Sequence, residues 1–204
     1  MRGKFITFEG IDGCGKSTVS KLAAERLGEE GVRTAWTCEP TWTWLGQAVK
    51  RGYAEKVNAF TEAFLFMADR VEHIKQINGQ LGNGTMVLSD RYVDSTVAYQ
   101  GAGLEDEPGL TGVDTLEWLR KAHQPFLLVP DLTLYLRVTP EVGLERLSGR
   151  AHLTKFEQLE LLRKVARNYD AIARNEPGRV RVLDASGGLE TVVSASLAEI
   201  RKLL

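Results

Sequence analysis

The sequence predicts an α/β protein built as a three-layer sandwich, in which a parallel sheet of five strands lies between two layers of helices. Two observations support this fold class. Short apolar runs, typical of strands covered on both faces, recur along the chain. Longer segments with apolar residues at three- and four-residue intervals, typical of helices, separate these runs. Strands that alternate with helices favour right-handed crossovers and therefore parallel pairing.

Each element has its own local pattern. The apolar segment 4–9 ends in a glycine-rich turn, and apolar positions within 19–27 then recur with helical spacing. Gly31 precedes the second strand, and a helix begins near Trp44. The predicted strands, in chain order, are 4–9, 34–38, 85–89, 131–138 and 179–183. The later predicted helices are 57–81, the one that follows Asp90, 140–149, 154–174 and 189–203.

The composition of the 204-residue chain is that of a globular protein. Hydrophobic residues make up 43% and charged residues 26%, which argues against disordered, fibrous and disulfide-scaffold classes. The 26 Lys and Arg residues nearly balance the 27 Asp and Glu residues, so no global field favours nucleic acid or anionic lipid. No apolar run approaches the roughly 20 residues of a transmembrane helix, and no secretory signal pattern begins the sequence. We therefore expect one domain over residues 1–204, located in the cytoplasm, without a membrane or nucleic acid partner.

A phosphate-binding loop lies between the first strand and the first helix. The pattern G-x-x-x-x-G-K-[ST] is met by Gly10-Ile11-Asp12-Gly13-Cys14-Gly15-Lys16-Ser17. Glycines let several backbone amides face one anion, and the start of the helix adds its positive dipole. Lys16 would bring a charge to the β- and γ-phosphates of ATP, and the Ser17 hydroxyl would be a ligand of Mg²⁺. The alternative is a glycine turn without a ligand.

Two charged residues end the third predicted strand. Asp90 lies where the second carboxylate of a phosphate-loop site holds a water on Mg²⁺, although an aspartate there could also cap a turn. Arg91 follows, and its planar guanidinium can form bidentate bonds with an acceptor phosphate. These two residues favour phosphoryl transfer. Phosphate binding alone does not distinguish an enzyme from a nucleotide switch.

The segment at about 146–156 has the character of a lid. One predicted helix begins after the candidate cap Thr139, and the next begins at Thr154, which has capping-box spacing to Glu157. Residues 149–153 form a short tip between these helices, and three cations cluster at it: Arg146, Arg150 and Lys155. Because such cations can close over polyanions, we expect a short lid here.

Five segments resemble thymidylate kinase in order and spacing, over nearly the whole chain. They are 10–18, Glu39-Pro40, 66–70, 90–101 and 131–136. The resemblance implies a P-loop kinase fold and transfer of the ATP γ-phosphoryl group to the 5′-phosphate of dTMP. The products would be dTDP and ADP, in dTTP biosynthesis, with Mg²⁺ as the metal. The resemblance also implies a homodimer, for which the apolar stripe of helix 57–81 is either the interface or interior core.

The resemblance assigns roles to individual residues. Residues 10–18, through Thr18, would hold ATP, and Asp12 would also accept a hydrogen bond from the 3′-hydroxyl of dTMP unless it only stabilises the loop. Arg91 would hold the acceptor phosphate. The remaining implied substrate-binding residues are Glu39, Pro40, Phe66, Arg70, Ser95, Thr96, Tyr99 and Gln100.

Helical spacing makes some of these roles plausible. Phe66 and Arg70 are four residues apart, so an aromatic wall and a guanidinium could reach one base. The alternative is a core phenylalanine and an exposed ion pair. Thr96 and Gln100 are also four apart and could face the thymine edge. Tyr99 resembles the family tyrosine that crowds the sugar 2′ position, although it could simply be a packed aromatic.

The sequence departs from the family in places. Gly13 and Cys14 carry no charge, so charge in the transition state must be met from the lid, and Arg150 is the leading candidate for that role. Lys155 stands where arginine is common and supplies charge without a planar fork. The segment 42–44 has no assigned role. The histidines, which lack metal-ligand spacing, are interpreted as surface or packing residues: His73, His123 and His152.

Two other functions remain possible on these grounds. Another nucleoside monophosphate kinase or a deoxynucleoside kinase would share the loop and lid but have a different acceptor pocket. A nucleotide switch of the GTPase type should carry an Asn/Thr-Lys-x-Asp sequence after a strand. The nearest match, 154–157, has glutamate at the last position and opens a helix, which disfavours the switch.

Overall fold

The structure, a computed structural model, describes residues 2–105, 107, 110, 112–147 and 155–204, with the backbone alone for 155–158. The strands formed by these residues are β1 (Phe5–Glu9), β2 (Thr34–Cys38), β3 (Met86–Asp90), β4 (Leu132–Arg137) and β5 (Val180–Asp184). All neighbouring strands pair in parallel, in the order β2-β3-β1-β4-β5. The predicted α/β class and five-stranded parallel sheet are confirmed.

Eight helices join these strands within the described residues. They are α1 (Lys16–Glu29), α2 (Trp44–Glu55), α3 (Ala59–Gly82), α4 (Val93–Leu104), α5 (Thr115–His123), α6 (Pro140–Arg146), α7 (Lys155–Asn175) and α8 (Leu189–Arg201). The sequence did not predict α5, which begins after the N-cap Asp114. The helix predicted after Thr139 was expected to reach 149, but α6 ends at Arg146.

The helices form two layers on the sheet. Helices α1 and α8 pack together against it, and α3, α4 and α7 form a second contiguous layer. All five residues of the central strand β1 are buried, as expected for a strand covered on both faces. The carboxyl ends of β1 and β3 lie side by side, because Phe8 pairs with Asp90. The loop after β1 and the turn after β3 therefore meet at one edge of the sheet.

The long helix α3 is only partly internal. It begins two residues later than predicted, after the Asn58 side chain, which accepts a hydrogen bond from the Thr61 amide. Met67 and Ile74 of the predicted stripe are buried, but Phe64 is 56% exposed. The stripe is therefore not a single core-facing surface. Among the described residues, no helix combines the length and hydrophobicity that a membrane span requires.

Candidate active site

The loop between β1 and α1 has the backbone of an anion-binding turn. Gly15 caps α1 with a φ of 93°, and Gly13 has a φ of 82°, both in the left-handed region that favours glycine. A Cβ atom on Gly13 would lie 2.1 Å from the carbonyl oxygen of Gly143. The loop therefore packs directly against α6, at a point where neither partner has room for a side chain.

Lys16 is held inside this loop. The residue is 5% exposed, and its Nζ lies 3.3 Å from the carbonyl oxygen of Ile11 and 3.4 Å from Oδ1 of Asp12. These neighbours are weak substitutes for a polyphosphate, because the ammonium has three donors and one of its partners is a neutral carbonyl. The side chain therefore lies where a phosphate bound by the loop amides would meet it.

Ser17 and Asp90 form a hydroxyl–carboxylate pair beside the loop. The Ser17 hydroxyl donates a hydrogen bond to Oδ2 of Asp90. The other carboxylate oxygen, Oδ1, is buried and has no hydrogen-bond partner among the described residues. A buried carboxylate oxygen without a donor is unusual and suits a cation. This oxygen-only donor set fits Mg²⁺, which binds through one or two protein oxygens and its own waters.

Arg91 lies between the phosphate-binding loop and α4. Its Nη2 donates to Oδ1 of Asp12, its Nη1 lies 3.1 Å from Oγ of Ser95, and its guanidinium lies 4.9 Å from the centre of the Tyr99 ring. Burial alone would raise the pKa of Asp12, but Arg91 and Lys16 hold it below its ordinary value. The carboxylate is therefore charged and fixes one side of the guanidinium.

A cavity of about 310 Å³ opens beside Arg91. The predicted substrate-binding residues that line it are Asp12, Glu39, Pro40, Phe66, Arg70, Arg91, Ser95, Tyr99 and Gln100. Three more lining residues were not predicted: Tyr53, Tyr92 and Leu161. The Tyr53 and Phe66 rings meet edge to face with centres 5.9 Å apart, so the cavity has an aromatic wall suited to a flat ring.

Arg70 is the most enclosed charged group of the cavity wall. Its Nε and Nη2 donate to Oε2 of Glu39 at 2.9 and 2.6 Å. Nη2 also donates to the carbonyl oxygen of Tyr92 and to Oγ1 of Thr96, and Nη1 lies 2.6 Å from Nε2 of His123. Of its five N–H groups, one on Nη1 has no partner among the described residues, which leaves a single donor for a ligand.

This arrangement puts Thr96 behind Arg70. Thr96 is 1% exposed, and it is not one of the residues that line the cavity. Its hydroxyl oxygen accepts from Arg70 Nη2 at 2.9 Å. In the structure Thr96 therefore orients the guanidinium, and its predicted contact with the thymine edge is not part of the observed arrangement.

Two histidines belong to a buried polar network rather than to the surface or to simple packing. His73 lies 2.9 Å from Oε1 of Glu39 and 2.6 Å from Oγ1 of Thr37. His123 is fully buried, and burial and the nearby Arg70 charge lower its pKa to about 4. A neutral His123 can accept from Arg70 on Nε2 while Nδ1–H donates to the Leu119 carbonyl at 2.7 Å. Sequence spacing could not find these roles, because the partners come from other elements.

The predicted lid cations are only partly described. Arg146, at the end of α6, donates to the carbonyl oxygens of Ala185 and Ser186 at 3.1 and 3.3 Å and lies 3.5 Å from that of Gly13. Its guanidinium therefore joins the phosphate-binding loop to the loop after β5. Arg150 lies outside the described residues, as does the side chain of Lys155. His152 and the capping Thr154 also lie outside them.

Comparisons with known proteins agree with this arrangement. A family profile described as thymidylate kinase matches residues 8–195. A probable thymidylate kinase of Methanosarcina mazei is 40% identical over 206 residues, which cover 100% of this chain and 98% of that protein. A thymidylate kinase of Thermomicrobium roseum is 42% identical over 208 residues, covering 98% and 95%. Because both comparisons extend over nearly the full length, the chain belongs to the thymidylate kinase family.

Proposed function

We propose that this protein transfers the γ-phosphoryl group of ATP to the 5′-phosphate of dTMP, producing dTDP and ADP in dTTP biosynthesis. The observation that carries this proposal is the position of Arg91, which lies in the wall of the acceptor cavity and also contacts Asp12 of the phosphate-binding loop. One guanidinium at that junction can hold an acceptor phosphate against a donor phosphate. In the reaction, an oxygen of the dTMP phosphate forms a bond to the γ-phosphorus, and the bond to the β–γ bridging oxygen breaks.

The donor side of the reaction is assigned to the loop and to α1. Backbone amides of residues 10–18 would bind the phosphates at the amino terminus of α1, where the helix dipole favours negative charge. Lys16 would meet the β- and γ-phosphates with its ammonium group. Because the loop already encloses Lys16, little reorganisation is needed when ATP binds.

Mg²⁺ is the proposed metal. When bound, it would neutralise the charge that develops on the transferring phosphates. Ser17 would hold it through its hydroxyl and Asp90 through its carboxylate, either directly or through water. The unpaired Oδ1 of Asp90 supports this assignment.

The acceptor side recognises a pyrimidine base by shape and by one donor. Phe66 and Tyr53 would flank the flat ring. The remaining N–H of Arg70 would donate to a base carbonyl, which thymine and uracil present where cytosine presents an amino group. Asp12 would accept from the 3′-hydroxyl, and Tyr99, whose hydroxyl accepts from the Asp12 amide at 2.7 Å, would crowd the 2′ position.

We further propose that residues 1–204 form one catalytic domain whose lid lies at about 146–156. Arg150 would neutralise the transferring group when the lid closes, and Lys155 would add charge. Arg146 would hold the base of the lid on the phosphate-binding loop, as its bond to the Gly13 carbonyl suggests.

A coupled ADP-release assay across five acceptors tests the function. We expect dTMP to be phosphorylated fastest, with slower reaction of dUMP. The kcat/KM should be at least about 10²-fold lower for dCMP and dGMP, because a buried donor without a partner penalises the wrong base, and for thymidine, because it lacks the phosphate that Arg91 would hold. Preference for thymidine would instead identify a deoxynucleoside kinase. Equal use of dCMP or dGMP would contradict the assigned base recognition.

The proposed assembly is a homodimer in the cytoplasm, where ATP is available. The free thiols of Cys14 and Cys38 are consistent with a reducing compartment. Phe64 supports the dimer, since this large apolar side chain is 56% exposed on α3.

Replacing Phe64 by glutamate should give a monomer in light scattering, because a charge on an apolar interface is desolvated without a partner. The exposed Lys75→Glu change, further along α3, is the matched control and should leave the assembly intact. A Phe64→Glu protein with the wild-type mass in solution would exclude this face as the interface.

A further inference from the structure

The backbone at Arg91 is held in a conformation that side chains with a Cβ atom rarely adopt. Its φ is 72°, in the left-handed region. The Arg91 amide donates to the Phe8 carbonyl at 3.0 Å, and the Ser89 hydroxyl donates to the Arg91 carbonyl at 2.7 Å. The next amide, that of Tyr92, donates to Oε1 of Glu9 at 2.8 Å. The turn that carries Arg91 is therefore fastened to β1, in part by a carboxylate.

The same carboxylate also acts on the Arg91 side chain. Oε2 of Glu9 accepts from the Ser95 hydroxyl at 2.6 Å and from the Tyr169 hydroxyl at 2.9 Å. The Ser95 oxygen lies 3.1 Å from Nη1 of Arg91. When Glu9 is ionised, above its raised pKa, it can only accept, so both hydroxyl hydrogens then point at Glu9 and a lone pair of Ser95 remains free to accept from Arg91.

We propose that Glu9 and Tyr169 are positioning residues for the acceptor phosphate. Through Ser95 they orient the Arg91 guanidinium, and through the Tyr92 amide Glu9 fixes the turn from which it projects. Neither Glu9 nor Tyr169 is among the lining residues of the acceptor cavity, so they act on dTMP through the residues they contact, of which Ser95 and the Tyr92 backbone lead to Arg91. The inference rests on the proposed function, in which Arg91 holds the phosphate of dTMP.

Tyr169 joins α7 to the acceptor site. Its ring stacks on Tyr135, with centres 5.2 Å apart, and meets the Tyr99 ring edge to face at 6.4 Å. Packing therefore fixes the ring, and its hydroxyl is aimed at Glu9. Tyr169 therefore links α7 to Arg91 through two intermediate side chains, Ser95 and Tyr99.

The surroundings of Glu9 oppose its ionisation. Burial and the nearby Asp94 carboxylate raise its pKa to about 7, although Arg91, Ser95 and Tyr169 oppose the shift. When the pKa of a carboxyl group is higher in the folded than in the unfolded protein, the free energy of unfolding falls as the pH rises above the pKa of the unfolded state. The charged acceptor is needed if both hydroxyls must donate to it.

The experiment compares Tyr169→Phe and Glu9→Gln with the control Tyr135→Phe. Tyr169→Phe keeps the ring packing and removes one donor. Glu9→Gln places an amide NH₂ where Oε2 accepts, so that the Ser95 lone pair is engaged by a new donor. We expect the Kd for dTMP in calorimetry and the KM for dTMP to rise about tenfold in both variants, with the KM for ATP within about twofold of wild type. Tyr135 is the neighbour of Glu9 across the sheet, but its hydroxyl interacts with Asp170 and not with Glu9, so Tyr135→Phe should leave all three values unchanged.

Thermal unfolding separates positioning from a structural role. At about pH 8, Glu9→Gln should unfold at or above the wild-type Tm, because it removes a buried charge. Loss of dTMP affinity without loss of stability is the expected result. An unchanged Kd for dTMP in both variants would overturn the inference, and so would equal losses for dTMP and ATP with a lower Tm. Failure of the wild-type protein to phosphorylate dTMP would reject the proposed function itself, before any variant is compared.

Discussion

Replacing Arg91 by alanine is expected to lower kcat/KM for dTMP by about 10³-fold, through a higher KM and a lower kcat together. The guanidinium has Asp12 on one side and Ser95 on the other, and it lines the acceptor cavity. Its loss removes the bidentate partner of the acceptor phosphate. It also leaves the Asp12 carboxylate with less compensating charge, so that this carboxylate repels the incoming phosphate. Steady-state kinetics with dTMP varied at saturating ATP measures both effects.

Two variants control for charge and for folding. Arg91→Lys keeps a cation but has no planar fork, so we expect activity between those of wild type and Arg91→Ala. Arg167→Ala removes an exposed arginine of α7 that pairs with Glu105 at 2.8 Å, and it should behave as wild type. A wild-type KM for dTMP in Arg91→Ala would show that another cation holds the acceptor.

Most of the sheet was predictable because its pattern is local. Buried parallel strands are short apolar runs, and the strand predicted at 4–9 is observed as β1, Phe5–Glu9, with all five residues buried. The loop and its flanking elements were predictable for the same reason. Helix α5 was not, although Asp114 caps it by accepting from the Glu117 amide. A nine-residue helix has little stability of its own and depends on packing, here against α4, which sequence spacing does not reveal.

The sequence predicted which residues line the cavity better than it predicted the hydrogen bonds among them. Spacing along one helix correctly suggested that Phe66 and Arg70 reach one cavity. Spacing could not show that Arg70 already binds Glu39 and His123, because these residues lie on other elements, 31 and 53 positions away in the chain. For the same reason, spacing could not show that the Thr96 hydroxyl accepts a hydrogen bond from Arg70. Helical periodicity identifies residues that share a face and gives no information about the partners that face them.

Buried polar groups explain why the elements were predictable from the sequence and the hydrogen-bond partners were not. Each such group needs a hydrogen-bond partner, and those partners are usually distant in sequence. Glu9 shows this well, since it is the last residue of the predicted strand 4–9, yet the hydroxyls that donate to it come from α4 and α7. Only the assembled fold shows why a carboxylate lies there.

Replacing Lys16 by methionine is expected to lower kcat/KM for ATP by about 10³-fold or more, mainly through kcat. Methionine keeps most of the buried stem and removes the ammonium, which lies in the loop 3.3 Å from the Ile11 carbonyl. The loop amides and the dipole of α1 remain, so ATP should still bind, with a modestly higher Kd. The charge on the transferring phosphoryl group grows towards the transition state, so the loss falls mainly on turnover. Calorimetry with a non-hydrolysable ATP analogue, together with turnover, separates the two effects.

The matched control for this change lies on the same helix. Lys21 is exposed on α1, with its Nζ 4.6 Å from the centre of the Trp36 ring, and Lys21→Met removes the same charge from the same element. Its kcat should stay within about twofold of wild type, because exposed charges interact weakly with a site elsewhere on the helix. If Lys16→Met turned over as fast as Lys21→Met, catalysis would not depend on a cation in the loop. The transferring charge would then have to be met entirely by the metal and the lid.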